Sequence, residues 1–290
     1  MTTFKIRILY TLYALFAAVF FLFFLFPSEN IKKAAGDRFE RAYPPYQLRM
    51  EALRLTLPPG IHITGATLMD KSEALVNVTQ LKLLPKLSRL IRGQLSVQFH
   101  GNAYEGVFNG DVDCRKSSWD QAEKLALNVE RLKIKQAAVK AIEGSPVVSG
   151  LLGGNLTYSQ AEKTGGALDA SLSLLDATLG LPALSAQMGD ITFSKVEVTF
   201  SVERETLNFR QFVFTGPQME GAITGTVRLF DPVSKSNLNL QLDISIRPEY
   251  QEKLSQLIPL VLLQNSNSNQ NRYKLRIFGT LGTPSFSITR

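Results

Sequence analysis

Side chains that commonly do chemistry are scarce in this sequence. Cysteine occurs once in 290 residues, at Cys114, and histidine twice, at His62 and His100. One cysteine excludes an intrachain disulfide, and with no second thiol nearby Cys114 reads as structural or incidental rather than as a nucleophile. Catalysis needs convergent titratable groups, with histidine the usual acid–base. The two histidines fall on separate segments, each bounded by turn signals and without metal-ligand spacing, so both read as partly exposed strand residues. No serine lies in Gly-x-Ser-x-Gly. Gly150-Leu-Leu-Gly153-Gly154 lacks the Gly-Lys-Ser/Thr ending of a phosphate loop and reads as a turn that opens a strand over Asn155–Tyr158. No catalytic, cofactor-binding or metal-binding residue is assigned, and the chain does not read as an enzyme.

Nucleic acid is also disfavoured. The basic groups Lys82, Lys86, Arg89, Arg92 and Arg131, Lys133, Lys135, Lys140 lack the interleaved aromatics of a base-stacking platform. Net charge +7 and a pI near 9.4 suit acidic surfaces instead: phospholipid head groups, lipopolysaccharide or an acidic partner. Lys86, Arg89 and Arg92 are candidates for membrane-surface contact, at about 1 kcal/mol per basic residue near an anionic leaflet. An ordinary solvated face is the competing reading.

What the sequence has in plenty is apolar patterning. From Ile8 to Phe26 it reads ILYTLYALFAAVFFLFFLF without a charge. As a helix that run is about 28 Å long, close to the roughly 30 Å hydrocarbon core. It is too long for the apolar region of a cleaved leader and has no small-residue cleavage site at its end. The expectation is a cytoplasmic tail over 1–7, a transmembrane helix over 8–26, a juxtamembrane linker over 27–46 stiffened by Tyr43-Pro-Pro-Tyr46, and a β-rich domain over 47–290. Charge leaves the orientation open: Lys32, Lys33, Arg38 and Arg41 after the run outnumber Lys5 and Arg7 before it, whereas so short a tail suits an N-terminus inside.

Beyond the linker the apolar period becomes two, the mark of strands with one dry and one wet face. Leu53, Leu55 and Leu57 alternate before Pro58-Pro59-Gly60. Leu95, Val97 and Phe99 precede an expected Gly101-Asn102 turn, and Leu125, Leu127 and Val129 repeat the pattern. Val196, Val198, Phe200 and Val202 follow, then Phe212 and Phe214, then Leu238 through Ile246. Expected helices are few: Pro85–Arg92, Gln136–Glu143 and Pro248–Gln264, the last followed by a polar loop over 264–271. The fold class is therefore mainly β, a long antiparallel curved meander with a few short helices. Either the sheet folds over on itself, or an apolar trough stays open, with Val198, Phe200, Phe212, Phe214, Leu240 and Leu242 as its candidate lining and acyl chains its natural occupant.

The layout, with the closing Phe278-Gly-Thr-Leu-Gly-Thr-Pro-Ser-Phe-Ser-Ile288 and the Met219–Leu229 repeat style, resembles protein N of the type II secretion system and the wider group of AsmA-like envelope proteins. The resemblance implies a single-pass bacterial inner-membrane protein with the bulk of the chain in the periplasm. It implies a non-catalytic accessory scaffold of the secretion machine, with other envelope proteins as partners and no cofactor. A lipid-binding or lipid-transfer module, holding phospholipid in the trough, is the alternative.

Overall fold

The computed structural model describes residues 10, 13, 27–56, 59–70, 73–115, 118–138, 147–161, 165–180, 190–250 and 272–288. Among these, no helix is long and apolar enough to cross a membrane. The tail over 1–7 and the 8–26 run lie outside the described residues, apart from Tyr10 and Tyr13.

The first element corrects the linker. Ser28–Ala42 is a helix, α1, not an extended spacer. Glu29 sits in its first turn, where the helix dipole favours an acid, and pairs with Lys32 at 2.7 Å. Tyr43 ends it ahead of Pro44, since a residue before proline avoids the α region. Fourteen strands follow: β1 (Tyr46–Thr56), β2 (Gly60–Asp70), β3 (Glu73–Pro85), β4 (Ser96–Ala103), β5 (Gly106–Arg115), β6 (Ser118–Ala138) and β7 (Val147–Ala161). The second half comprises β8 (Gly165–Gly180), β9 (Ile191–Glu203), β10 (Thr206–Thr215), β11 (Met219–Arg228), β12 (Asn237–Ile246), β13 (Arg272–Thr280) and β14 (Pro284–Ile288). A one-turn helix, α2 (Leu87–Leu90), interrupts the β3–β4 connection, inside the longer helix expected over Pro85–Arg92.

Every strand pairs antiparallel with its sequence neighbours in the order β1 to β14, giving one curved, unclosed sheet. Period two explains the regularity, because a one-residue slip would turn a strand's whole apolar set outward. Other corrections concern turns. Gly101 and Asn102 lie inside β4; the hairpin turns instead at Tyr104 and Glu105, both at positive φ (48° and 64°) as a tight two-residue turn requires. Arg204 and Glu205 repeat those angles between β9 and β10. Gly150, Gly153 and Gly154 sit within β7 rather than in a turn before it. Gln136 to Ala138 belong to β6 rather than to a helix, and 139–143 lie outside the described residues. Of the expected Pro248–Gln264 helix only 248–250 is described, and is helical; 251–264 and the 264–271 loop lie outside.

Candidate functional site

Residues paired directly across an antiparallel ladder share a face. Followed strand by strand, one row therefore crosses the entire sheet: Leu55, Ile61, Leu83, Phe99, Gly110, Leu127, Leu156, Ala170, Phe200, Phe209, Gly225, Leu240, Ile277 and Phe286. Each member is apolar or glycine. At about 4.8 Å per strand the row is roughly 60 Å long. The row one residue along is polar from β1 to β10: Arg54, His62, Lys82, His100, Asn109, Asn128, Asn155, Ser171, Thr199 and Gln211. His62 and His100 thus share the wet face with Lys82 between them, closer in space than their separate segments suggested.

Among the described residues, the dry face is packed at its two ends and open between. At one end Leu53, Ile63 and Ala66 are buried, with Ile31 of α1 packed against them. At the other, Ile191, Phe214, Met219, Ile244, Ile246 and Tyr273 form a cluster against which Tyr250 packs. From β4 to β8 the only buried hydrophobic residues among the described ones are Ala103, Cys114, Ala170 and Ala177. No large apolar side chain described there is buried, although Phe99, Phe108, Leu127, Val129, Leu156 and Leu172 all lie on the dry face. A closed core of this size would bury several of them fully.

The six trough candidates divide on this map. Phe214 is buried within the end cluster, and Phe212 and Leu242 pack against it. Val198 lies opposite Phe212, Phe200 opposite Phe209 with ring centroids 6.4 Å apart, and Leu240 opposite Ile277. The stretch most open among the described residues, β4–β8, carries the same strand alternation as the rest and no candidate lining residue. Alternation says which side of a strand is dry, not whether anything covers it.

Phenyl rings lie down on this face over glycines of the neighbouring strand. A Cβ at Gly101 would run into the Phe108 ring, and one at Gly110 into the Phe99 ring and the Ala126 carbonyl. A second feature bends the sheet. Arg131 of β6 (φ 55°), Gly150 of β7 (φ 148°) and Asp176 of β8 (φ 48°) mark irregularities on three adjacent strands, and β10 carries another at Arg210. Bulges sharpen local twist and bend the strand that carries them. On the wet face beside this line, a cleft of about 720 Å³ is lined by Glu105, Glu130, Arg131, Lys133 and Asp176 among others, and Lys133 pairs with Glu105 at 3.0 Å. Its charges are of both signs.

The β3–β4 connection is pinned by ion pairs. Lys86 meets Asp111 at 2.5 Å and Arg89 meets Asp113 at 2.6 Å, so two of the three basic residues expected to meet a membrane are engaged within the chain. Burial alone would raise the Asp113 carboxyl. The neighbouring Ser96 hydroxyl, the Arg89 guanidinium paired with it and the charge of Lys86 outweigh it and hold Asp113 below the ordinary carboxylate range. Burial, with the Asp113 charge second, pushes the neighbouring Cys114 thiol up, which suits an inert residue. Outward from these pairs the loop exposes Leu87 at 49%, Leu90 at 37% and Ile91 at 88%. In the second basic group Arg131 and Lys133 are exposed, while Lys140 and the side chain of Lys135 fall outside the described residues.

The edges differ. Along β1, α1 packs against the strand, and Lys32 Nζ donates to the Glu51 carbonyl at 2.8 Å. At the far edge β14 is the last strand among the described residues and pairs with Leu275–Gly279 of β13. Here Arg272 grips Asp243 through two hydrogen bonds, of 2.7 and 3.0 Å. Among the described residues, no group of three or more His, Cys, Asp or Glu could hold a metal ion.

Fold and surface together define an open antiparallel sheet with one continuous apolar face. Comparison with family models, curated proteins and solved structures finds no match to this chain.

Proposed function

We propose that this protein is a membrane-anchored envelope module that holds lipid acyl chains against the dry face of its sheet. The observation that carries the reading is the unbroken apolar row from Leu55 to Phe286, whose middle third lacks a covering element among the described residues. An exposed apolar surface of that length is costly in water, and each methylene that covers it returns about 0.8 kcal/mol. A bilayer leaflet is about 15 Å deep, half the hydrocarbon core, so one acyl chain covers roughly three strands. Several chains fit side by side. The 8–26 run supplies the tether, and the sheet stands outside the bilayer, in the periplasm if the chain is bacterial as its resemblance implies.

The test is mass spectrometry of the purified full chain after exhaustive delipidation of the detergent. Phospholipid should be recovered in stoichiometric amount, and Phe200→Asp should lose it while keeping the strand signal in circular dichroism. A folded Phe200→Asp protein that still carries lipid overturns the reading. Phe200 is preferred to Leu242, which packs against the end cluster and would confuse loss of lipid with loss of fold.

A second reading, the accessory scaffold of the type II secretion machine, draws on β14, the last strand of the sheet among the described residues, along which a partner strand can add by main-chain hydrogen bonding. An empty sheet that co-purifies with a secretion component would favour it over lipid.

A further inference from the structure

Where the chain enters the sheet follows from how α1 lies on β1. Gly36 approaches the Leu48 carbonyl, Lys32 bonds the Glu51 carbonyl, and Ile31 packs against the cluster of Leu53, Ile63 and Ala66. The helix therefore runs antiparallel to the strand, and its beginning points toward the β1–β2 turn. Pro27, whose carbonyl accepts from Ile31 N–H at 3.1 Å, stands about 6 Å further along the helix axis. In the ladder, Leu55 pairs with Ile61 and Ile61 with Leu83, so this corner is also where β3 ends and α2 begins. Two strand spacings, about 10 Å, separate β1 from β3. Pro27, from which the described chain begins its helix, and the exposed Leu87, Leu90 and Ile91 consequently lie at one corner of the sheet.

We propose that the β3–β4 loop is a second contact with the bilayer that receives the anchor, inserting Leu87, Leu90 and Ile91 among the head groups of anionic phospholipid. Three observations converge. The loop is apolar at its tip although Ile91 could be solvated by any polar residue. With Lys86 and Arg89 paired to Asp111 and Asp113, Arg92 leaves the loop one exposed positive charge at its apolar tip and no acid within Lys86–Arg92, complementary to an anionic leaflet. The ion pairs to Asp111 and Asp113 hold the loop at a fixed angle, so its tip is presented rather than folded back. Lys86 and Arg89 act here as struts, and Arg92, exposed beside Ile91, is the residue placed to meet phosphate. The contact fixes the corner of the sheet to the membrane at two points, which orients the trough against the source of its lipid.

The inference rests on reading 8–26 as an anchor, and the experiment separates the two. The full chain carrying Cys114→Ser and Ile91→Cys, labelled with an environment-sensitive fluorophore, is reconstituted into vesicles of phosphatidylethanolamine and phosphatidylglycerol. The Ile91 position should show a blue shift and quenching by spin-labelled lipid. The same label at Pro217→Cys, in the β10–β11 turn at the opposite rim, should show neither. A chain stripped from vesicles by alkaline wash refutes the anchor and the inference with it. A chain that resists the wash but leaves Ile91 as wet as Pro217 refutes the loop contact alone. Leu87→Asp combined with Ile91→Asp should leave retention unchanged and abolish quenching of a label at Leu90→Cys.

Discussion

Leu127→Asp distinguishes an open face from a hidden core. Leu127 lies near the centre of the apolar row, between Gly110 and Leu156, and is only partly buried. Full burial of a leucine is worth about 1.5–3 kcal/mol, so removing a partly buried one forfeits about 1–2 kcal/mol. The new carboxylate keeps its water on an open face and adds little further cost. Ile246 provides the contrast: it is 2% exposed inside the end cluster, and Ile246→Asp combines lost burial with an unpaired buried charge, more than about 4 kcal/mol in total. With a urea dependence of about 2 kcal/mol per molar, Leu127→Asp should lower the unfolding midpoint by about 0.5–1 M. Ile246→Asp should leave no cooperative transition to measure. Circular dichroism of the full chain in mild detergent reads both. If Leu127→Asp proves as damaging as Ile246→Asp, something covers the middle of the sheet and the open-face reasoning fails.

Two further expectations follow from local geometry. Gly110→Ala should cost about 1–3 kcal/mol because its Cβ meets the Ala126 carbonyl and the Phe99 ring, whereas Gly153→Ala, whose nearest neighbour is Ser173 Oγ at 3.5 Å, should stay within about 0.5 kcal/mol of the parent; equal midpoints for the two would contradict the ring-over-glycine packing. Asp113 is held below its ordinary value, so its pairing contributes fully above the unfolded carboxylate pKa of about 3.9 and is lost as pH falls through the lowered folded value. The stability gap between parent and Asp113→Asn should therefore be constant from pH 7 down to about pH 5 and close only in stronger acid; a gap that closes near neutrality would point to a different group.

The sheet was legible in the sequence because alternation is a local signal: Val196, Val198, Phe200 and Val202 declare their common face without reference to any other strand. Its two-residue turns were harder. Tyr104-Glu105 and Arg204-Glu205 reach positive φ without glycine, while Gly101 and Gly154, which look like turn residues, serve close approach inside strands. The 28–42 segment misled by its polarity and its following prolines; what holds it as a helix is tertiary, Ile31 in the end cluster and Lys32 on a strand carbonyl. The pairing of Lys86 with Asp111 and Arg89 with Asp113 spans more than twenty residues and depends on register two strands away. The openness of β4–β8 was least legible, since a dry face reads the same whether it meets another sheet, a lipid or water.

A photoreactive phenylalanine analogue placed at Leu127 in the living cell tests the central claim most directly. Irradiation followed by mass spectrometry of the adduct should find phospholipid attached to β6. Cross-links from that position to segments of the same chain would mean that the protein covers its own dry face, and the trough would not exist.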